Sequence, residues 1–390
     1  METYSLGARP GVRALRNSKI REVANAGMGN KDVLPFWFGE PDEVTPEFIR
    51  QAGIEALNRG DTFYTENFGL PVLRRTIAAY VSGLHAPACK VTEENITVTS
   101  AGMSALMLSY QALVGPGDRA VIVTPVWPNL VEIPRILGAE AVTFPLDYTP
   151  SGWRLDLQKL LQALTPDTRL LCINSPNNPT GWTITRDEQR VLLEHCRKHG
   201  IWILADDAYE RLYYGNGAAP SFLDIADARD RVVSTNTFSK SWLMTGWRLG
   251  WIVAPAELMS YLGTLIEYNT SCAPPFVQQA GVVAIEQGEP VIARTVDRFR
   301  KARDYLNARL NEIPGIEAPL PAGAMYMFFR VKGIADSLSY CKRLVTEGNL
   351  GLAPGIAFGP EGEGYIRWCF ASGDDRLQQG VDRLKQFLHR

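Results

Sequence analysis

Short apolar runs alternate with helical patterns through the middle of the chain. The runs are ITVTS (96–100), AVIVT (120–124), AVTFP (141–145), RLLCIN (169–174), IWILAD (201–206), VVSTN (232–236) and RLGWIVA (248–254). Helical patterns at 103–114, 130–137 and 186–199 separate several of them. Continuously apolar strands joined through helices require a mostly parallel sheet that is covered on both faces. The pattern therefore predicts a large α/β domain.

The pattern changes after about residue 287. A long, charged, amphipathic stretch, PVIARTVDRFRKARDYLNARL, is followed by mixed shorter elements. We predict a large domain at 46–286 and a smaller α+β domain at 287–390, with residues 1–45 packing against the smaller domain. The length of 390 residues agrees with two domains.

Charge and cysteine usage restrict the partners and the compartment. A net charge of -2 argues against a nucleic-acid or membrane surface as the main partner and favours small metabolites. The six cysteines are scattered without a C-x-x-C pair: Cys89, Cys172, Cys196, Cys272, Cys341 and Cys369. Together with an N-terminus that lacks the apolar region of a secretory signal, they predict a cytoplasmic protein without membrane spans.

A histidine pair is the main candidate for a metal site. His195 and His199 lie four positions apart, a spacing that can place two ligands on one helix face. No third ligand or H-E-x-x-H order accompanies them. We therefore expect a solvated helix end and no metal.

Polar motifs follow the strand candidates at the ends where ligands bind. The motifs are SAGMS, PVWPN, SPNNPTG, DDAYE and TFSK, each directly after one apolar run. In an open α/β sheet, ligands bind beyond the carboxyl ends of the strands. These five loops are therefore predicted to meet at one rim and to form the site.

Lys240 stands in TFSKSWLMTGWRLG among small hydroxyls and large apolar residues. Burial among apolar neighbours lowers the pKa of a lysine toward that of a reactive neutral amine, which can form a Schiff base with an aldehyde. Pyridoxal phosphate is the aldehyde cofactor that uses such a lysine together with an acidic partner for its ring nitrogen. Asp206, at the end of a strand candidate, is a suitable acid.

Eight motifs in one order carry a family resemblance. They are GEPD, YTENFGLPVLR, SAGMSAL, PVWPN, SPNNPTG, DDAYE, SKSWLMTGWRLG and YIRWCFA. Over nearly its whole length the chain resembles the class I/II pyridoxal-phosphate-dependent aminotransferases, which have fold type I and are related to aspartate aminotransferase. The resemblance implies a pyridoxal 5'-phosphate cofactor, amino acid and 2-oxo acid substrates, and a homodimer with shared active sites.

The resemblance also implies roles for individual residues. Lys240 looks like the cofactor-binding lysine that moves the α-proton, and Asp206 like the carboxylate that keeps the pyridine nitrogen protonated. Tyr209 and Asn178 resemble the pair that hydrogen-bonds the phenolic oxygen of the cofactor. Trp127 looks like the ring stacked on the pyridine. Taken singly, each side chain also has an ordinary interpretation as a turn, cap or packing residue.

Further residues are implied around the phosphate and the substrate. The residues implied to bind the cofactor phosphate are Ala101, Gly102, Met103, Thr237, Ser239 and Arg248. Tyr64 is implied to reach the phosphate from the partner subunit. Ala101 stands where the family commonly has serine or glycine. Arg367 resembles the arginine that binds the substrate α-carboxylate, with help from Asn178, and Gly39 resembles the glycine that leaves room for that carboxylate.

The distal pocket predicts the substrate class. Relatives that are specific for dicarboxylates have a cation before the paired prolines or at the phosphate loop, but here these places hold EYNT (267–270) and Met103. We therefore predict an amino donor with an apolar or aromatic side chain and 2-oxoglutarate or pyruvate as acceptor. A cation from outside the motifs would instead give an aspartate-type enzyme, and the candidates are Arg13, Arg16, Lys19 and Arg21.

Two other functions stay open at this point. The same fold and cofactor also serve lyases, because the motifs identify the cofactor better than the reaction. A ligand-sensing regulator that carries this fold next to a DNA-binding module is the alternative from a different class, and the slight negative charge disfavours it.

Overall fold

The computed structural model describes residues 7–85, 90–149 and 151–389. Cys89 and the two ends of the predicted small domain, residues 1–6 and 390, lie outside this range. The helices are α1 (Pro10–Arg13), α2 (Lys19–Ala26), α3 (Glu47–Asn58), α4 (Pro71–His85), α5 (Gly102–Leu113), α6 (Asn129–Leu137), α7 (Leu157–Ala163), α8 (Arg186–His199), α9 (Phe238–Ser241), α10 (Ala256–Glu267), α11 (Pro275–Gln287), α12 (Glu289–Asn311), α13 (Ser337–Gly348) and α14 (Asp374–Leu388).

The strands form one large sheet and several smaller ones. They are β1 (Leu34–Pro35), β2 (Ile96–Thr99), β3 (Arg119–Thr124), β4 (Glu140–Pro145), β5 (Asp147–Thr149), β6 (Gly152–Arg154), β7 (Thr168–Asn174), β8 (Trp202–Asp206), β9 (Val232–Thr237), β10 (Gly250–Val253), β11 (Ile316–Glu317), β12 (Tyr326–Val331), β13 (Leu350–Gly351), β14 (Ala353–Pro354) and β15 (Tyr365–Cys369).

The large sheet has the order β2-β10-β9-β8-β7-β3-β4. All of its neighbouring pairs are parallel except those of β10, which runs antiparallel to both β2 and β9. Each of the seven apolar runs is a strand of this sheet. The prediction of a mostly parallel sheet in an α/β fold is confirmed.

Side chains along the strands divide between two cores. On β7, Leu170 and Cys172 belong to the apolar cluster that includes α5, α6 and α10. Leu171 and Ile173 belong to the cluster that includes α7 and α8. Because successive strand residues point to opposite faces, helices on both faces bury the whole run.

Local signals determine the bounds of α8. The side chains of Thr185 and Glu188 form a capping box with each other's backbone N–H groups. Gly200 ends the helix with φ +68°, in the left-handed region that favours glycine. The predicted helix, 186–199, is confirmed.

Strand β10 is shorter than its apolar run predicts. Arg248 has φ +55° and follows the short turn Thr245–Trp247, so that the strand begins only at Gly250. This left-handed residue turns the chain between the α9 region and the strand.

The C-terminal third forms a second sheet of order β11-β12-β15-β14, beside the long helix α12. Its apolar cluster joins residues 20–37 to residues 299–387 and also takes in Tyr209, Leu212 and Tyr214. The N-terminal segment therefore packs against the C-terminal third, and the small domain built from both ends of the chain, with its division at 45/46 and 286/287, stays a prediction. Within the described ranges, no helix is long and apolar enough to cross a membrane.

Candidate active site

A cavity of about 300 Å³ lies beyond the carboxyl ends of the central strands. Most of the predicted site residues line it: Gly39, Gly102, Met103, Trp127, Asn178, Asp206, Tyr209, Thr237, Ser239, Lys240, Arg248 and Arg367. Each of the five loops contributes to this lining, as the sequence predicts. Ala101 and Tyr64 do not line the cavity.

Lys240 is on α9, the single turn that begins where β9 ends. Its Nζ donates to the carbonyl of Gly39 at 2.7 Å and lies 5.7 Å from the centroid of the Tyr209 ring. Burial lowers the pKa of this amine to about 8, and the nearby Arg367 charge acts in the same direction. At pH 7 about one tenth of such a lysine is neutral, far more than for a lysine in water.

Asp206 ends β8 and is 6% exposed. Its Oδ1 accepts a hydrogen bond from the backbone N–H of Ala208 at 3.3 Å. Burial raises the pKa of this carboxyl to about 6, although the Ala208 bond and the Lys240 charge oppose the rise. A cation beside Asp206 would favour the ionised carboxylate at neutral pH.

Arg367 is the buried cation of the site and is 2% exposed. Its Nη1 donates to Oδ1 of Asn178 at 2.9 Å, and its Nη2 donates to the carbonyl of Trp37. Its Nε has no hydrogen-bond partner among the described residues. A buried guanidinium with a free donor is suited to bind a carboxylate.

Tyr326 links two parts of the cavity. Its hydroxyl is 2.7 Å from the hydroxyl of Tyr209, and its ring centroid is 4.4 Å from the guanidinium carbon of Arg367. A Cβ on Gly39 would lie 1.9 Å from the same hydroxyl. Position 39 therefore needs glycine because Tyr326 approaches the backbone there.

The N-terminus of α5 and the start of α9 form an end of the cavity that is rich in donors. Thr237 caps α9, since its Oγ1 accepts from the Ser239 N–H at 3.1 Å. The exposed Arg248 donates to the carbonyl of Thr245 at 2.6 Å. A Cβ on Gly102 would lie 3.0 Å from Cβ of Thr237, so glycine keeps this corner open. Free backbone N–H groups at a helix start favour an anion.

Ala101 precedes this helix in a strained conformation, with φ +99° and ψ 161°. This region is essentially restricted to glycine, and other residues pay about 1–3 kcal/mol there. Ala101 is 1% exposed, and its backbone forms the turn that leads into α5.

A second cavity of about 450 Å³ adjoins the first, with Met103 in the wall of both. Arg16 and Lys19 line this second cavity. The guanidinium carbon of Arg21 lies 5.5 Å from the centroid of the Phe38 ring, which lines the first cavity. Arg16, Lys19 and Arg21 therefore lie near the site without lining the first cavity, and Arg13 lines neither cavity.

The sequence profile of a family described as aminotransferase class I and II matches residues 31–384. The chain belongs to this family. It is 31% identical to the aspartate aminotransferase of Pyrococcus horikoshii over 97% of this chain and 96% of that protein.

Solved aminotransferases have the same fold. The aspartate aminotransferase of Thermotoga maritima is 29% identical, with a TM-score of 0.90 over 98% of this chain and 100% of that one. An aromatic aminotransferase from Pyrococcus horikoshii is also 29% identical, with a TM-score of 0.86 over 94% of this chain and 98% of that one. The predicted fold type I architecture is confirmed.

The aminotransferase depends on pyridoxal 5'-phosphate and moves amino groups between amino acids and 2-oxo acids. The cavity fits this cofactor. It combines a lysine of lowered pKa, a buried carboxylate and an open helix start beside two hydroxyls, which match an aldehyde, a ring nitrogen and a phosphate. The family assignment favours transamination over the lyase and regulator alternatives.

Several lining residues of the aminotransferase were not predicted. Asn174 ends β7 and donates to the backbone carbonyl of Asp206 at 3.1 Å. Its position at a strand end was a usable signal. Tyr326, Ile20 and Phe38 also line the cavity. They lie outside the five loops, and no local pattern distinguishes them from core residues.

The histidine pair lies away from the cavity. The ring centroids of His195 and His199 are 4.5 Å apart, and Nε2 of His195 is 3.0 Å from the carbonyl oxygen of Leu164. No cluster of three metal-ligating side chains occurs in the described part of the aminotransferase.

Proposed function

We propose that this aminotransferase prefers amino donors with apolar or aromatic side chains. The lining of the cavity carries the proposal. Its cations, among the described residues, are Lys240, Arg248 and Arg367, and each has another role. Burying an unpaired side-chain carboxylate costs several kcal/mol, so that a substrate such as aspartate is disfavoured.

The rest of the wall supports this preference. Ile20, Phe38, Met103 and Trp127 present apolar and aromatic surface to the cavity. Beyond Met103, the adjoining cavity continues with Met107, Val126, Phe358 and other apolar residues. Such surface stabilises a substrate side chain by about 0.8 kcal/mol for each methylene group that it buries.

An aspartate-type enzyme is the second candidate. Arg16 and Lys19 line the adjoining cavity and are cations from outside the motifs. A relative with 31% identity is an aspartate aminotransferase. In this alternative a dicarboxylate would reach past Met103 toward these cations.

Donor specificity distinguishes the two candidates. We expect kcat/KM for phenylalanine, leucine or methionine to exceed that for aspartate by at least about tenfold, since each mismatched contact costs about 1–3 kcal/mol. The measurement is steady-state turnover of each donor, with 2-oxoglutarate and with pyruvate as acceptor. A tenfold preference for aspartate would establish the second candidate instead.

We propose the following roles at the reacting centre. Pyridoxal phosphate supplies an aldehyde that binds amines and a ring that accepts the electrons released when an α-proton leaves. Lys240 holds the cofactor at rest and later carries the α-proton on Nζ. Asp206 holds the proton on the ring nitrogen, while Tyr209 and Asn178 donate to the phenolic oxygen.

The remaining roles concern binding. Arg367 binds the substrate α-carboxylate in a position fixed by Asn178 and the Trp37 carbonyl. Trp127 covers one face of the ring. The phosphate is bound by the turn and hydroxyls formed by Ala101, Gly102, Met103, Thr237, Ser239 and Arg248. The strongest support is that all of these residues except Ala101 and Trp37 line one cavity.

We propose that the enzyme is a homodimer in which Tyr64 reaches the phosphate site of the second subunit. Tyr64 is 88% exposed, and other large side chains are exposed too: Phe63 82%, Tyr261 66% and Tyr268 87%. Exposed apolar surface of this kind is typical of an interaction site.

Replacing Tyr64 by phenylalanine tests this interface. We expect the cofactor dissociation constant to rise roughly 10- to 100-fold, because a hydrogen bond to a charged group contributes about 1.5–3 kcal/mol. Absorbance titration measures the constant, and light scattering measures the mass of the assembly. Tyr261→Phe is the matched control. A monomeric wild type, or an unchanged constant for Tyr64→Phe, would contradict the proposal.

We propose a cytoplasmic location. The described cysteines are free: Cys172, Cys196, Cys272, Cys341 and Cys369. Free thiols are typical of proteins in reducing compartments. Cell fractionation of the source organism tests this location.

A further inference from the structure

A buried histidine lies behind the turn that carries Asp206 and Tyr209. His85 is the last residue of α4 and is 5% exposed. Its Nε2 is 2.9 Å from Oε2 of Glu210, and its Nδ1 is 3.4 Å from Oδ1 of Asp224. Nε2 is within hydrogen-bond distance of one carboxylate and Nδ1 is within ion-pair distance of the other, so each ring nitrogen faces an acceptor and the site favours the imidazolium form.

The charge of His85 follows from these neighbours. Burial by itself would lower the pKa of the ring, but the hydrogen bonds and charges of Asp224 and Glu210 outweigh it and raise the pKa to about 10. The ring is therefore positively charged at neutral pH. Removing it would leave Glu210, which is 5% exposed, as a buried carboxylate without its cation, a strongly unfavourable state.

Glu210 connects this charge to the turn. Its backbone N–H donates to the carbonyl of Asp207 at 2.9 Å, which closes the turn from 207 to 210. The Asp207 carboxylate accepts a hydrogen bond from Oγ of Ser234 at 2.6 Å. The backbone N–H of Asp207 donates to the carbonyl of Thr235 at 2.9 Å. The sheet thus fixes the start of the turn, and His85 fixes its end.

Other charged and titratable groups also lie near His85, and the Asp207 carboxyl is one that its charge reaches. Arg186 pairs with the far oxygen of Asp224 at 2.5 Å. The hydroxyl of Tyr80 donates to Oε1 of Glu210 at 3.4 Å and accepts from Arg211 at 3.3 Å. Arg186 and Arg211 therefore bond to other groups, and among the described residues His85 is the cation that bonds directly to the Glu210 side chain.

We propose that His85 is a positioning residue for catalysis: through Glu210 it holds the turn that places Asp206 and Tyr209 against the cofactor. This inference rests on the roles proposed for those two residues. It adds a residue that touches neither substrate nor cofactor and acts from the far side of the turn.

The test uses His85→Gln and Glu210→Gln in the holoenzyme. We expect kcat to fall roughly 10- to 100-fold in each variant, as is typical when a supporting partner of a site residue is lost, with KM changed less than about threefold. We also expect the pH midpoint of the visible cofactor absorption to rise by at least about 0.5 unit, because a displaced Tyr209 no longer stabilises the deprotonated form. The double variant is expected to lose little more than either single variant, since the two residues act as one unit.

His195→Gln is the matched control, because that ring contacts the Leu164 carbonyl and the His199 ring and does not line the cavity. It should keep the wild-type kcat and absorption midpoint. If His85→Gln does not fold, Glu210→Gln decides, because it keeps the hydrogen-bonding shape without the charge. A lowered melting temperature with unchanged kcat and midpoint would overturn the inference. If Asp206→Asn also keeps full activity, the proposed function fails with it; if that variant is inactive, only the role of His85 is lost.

Discussion

Replacing Lys240 by alanine is expected to lower kcat by at least about 10⁴-fold. The substitution removes the amine that binds the cofactor and the group that transfers the α-proton, and acid–base transfer alone contributes about 10²–10⁴-fold. The other cavity residues remain, so the variant should retain cofactor without a covalent bond. Single-turnover absorbance measurements with a saturating donor give the rate.

Borohydride reduction followed by peptide mass analysis identifies the lysine that binds the cofactor covalently. In the wild type the pyridoxyl adduct should lie on the peptide that contains Lys240, and in the alanine variant it should be absent. Lys159, which pairs with Asp156 at the surface, is the control lysine. Turnover near the wild-type value in Lys240→Ala, or an adduct on another lysine, would refute the assignment.

Replacing Asp206 by asparagine is expected to lower kcat/KM roughly 10²- to 10³-fold, a typical loss for one preorganised electrostatic group. Asparagine keeps the shape of the side chain but cannot hold a proton on the ring nitrogen by its charge. Steady-state kinetics measure the loss of kcat/KM. The dissociation constant of the cofactor measures the loss of its binding, and we expect this constant to rise.

Asp207→Asn is the neighbouring control. This carboxylate is as deeply buried as that of Asp206, but it bonds to Ser234 and Ser221 and does not line the cavity. Asparagine keeps a side-chain oxygen that accepts from these serines, and the backbone bond from residue 207 to Thr235 is unchanged, so the turn should stay in place and kcat/KM should fall by less than about tenfold. Equal losses at both positions would show that the effect of Asp206→Asn is structural.

Patterns of neighbouring residues predicted the strands, the helix α8 and the loops at the strand ends, because interactions between residues close in the sequence largely determine these elements. Apolar runs identified the strands of the large sheet, and the helical pattern at 186–199 gave the bounds of α8. The rule that ligands bind at the carboxyl ends of strands placed Lys240, Asp206 and Trp127 in one cavity before their distances were known. The family motifs added Arg367, which comes from the smaller sheet.

The rest depends on contacts that sequence spacing does not encode. Tyr326 enters the cavity from β12, and the sequence around it has only the apolar pattern of a buried strand. His85 and Glu210 are 125 positions apart, so neither predicts the other. Tyr64 is exposed on a single chain, and its predicted role needs a second copy.

The turn at Ala101 has an evolutionary consequence. A Cβ on Gly250 would lie 2.6 Å from both the carbonyl carbon of Ala101 and the nitrogen of Gly102. Position 250 therefore excludes every larger residue as long as the backbone at 101 keeps its glycine-like path. A substitution at one of these positions is therefore constrained by the other, although they are far apart in the chain, and we expect the two positions to change together among related sequences.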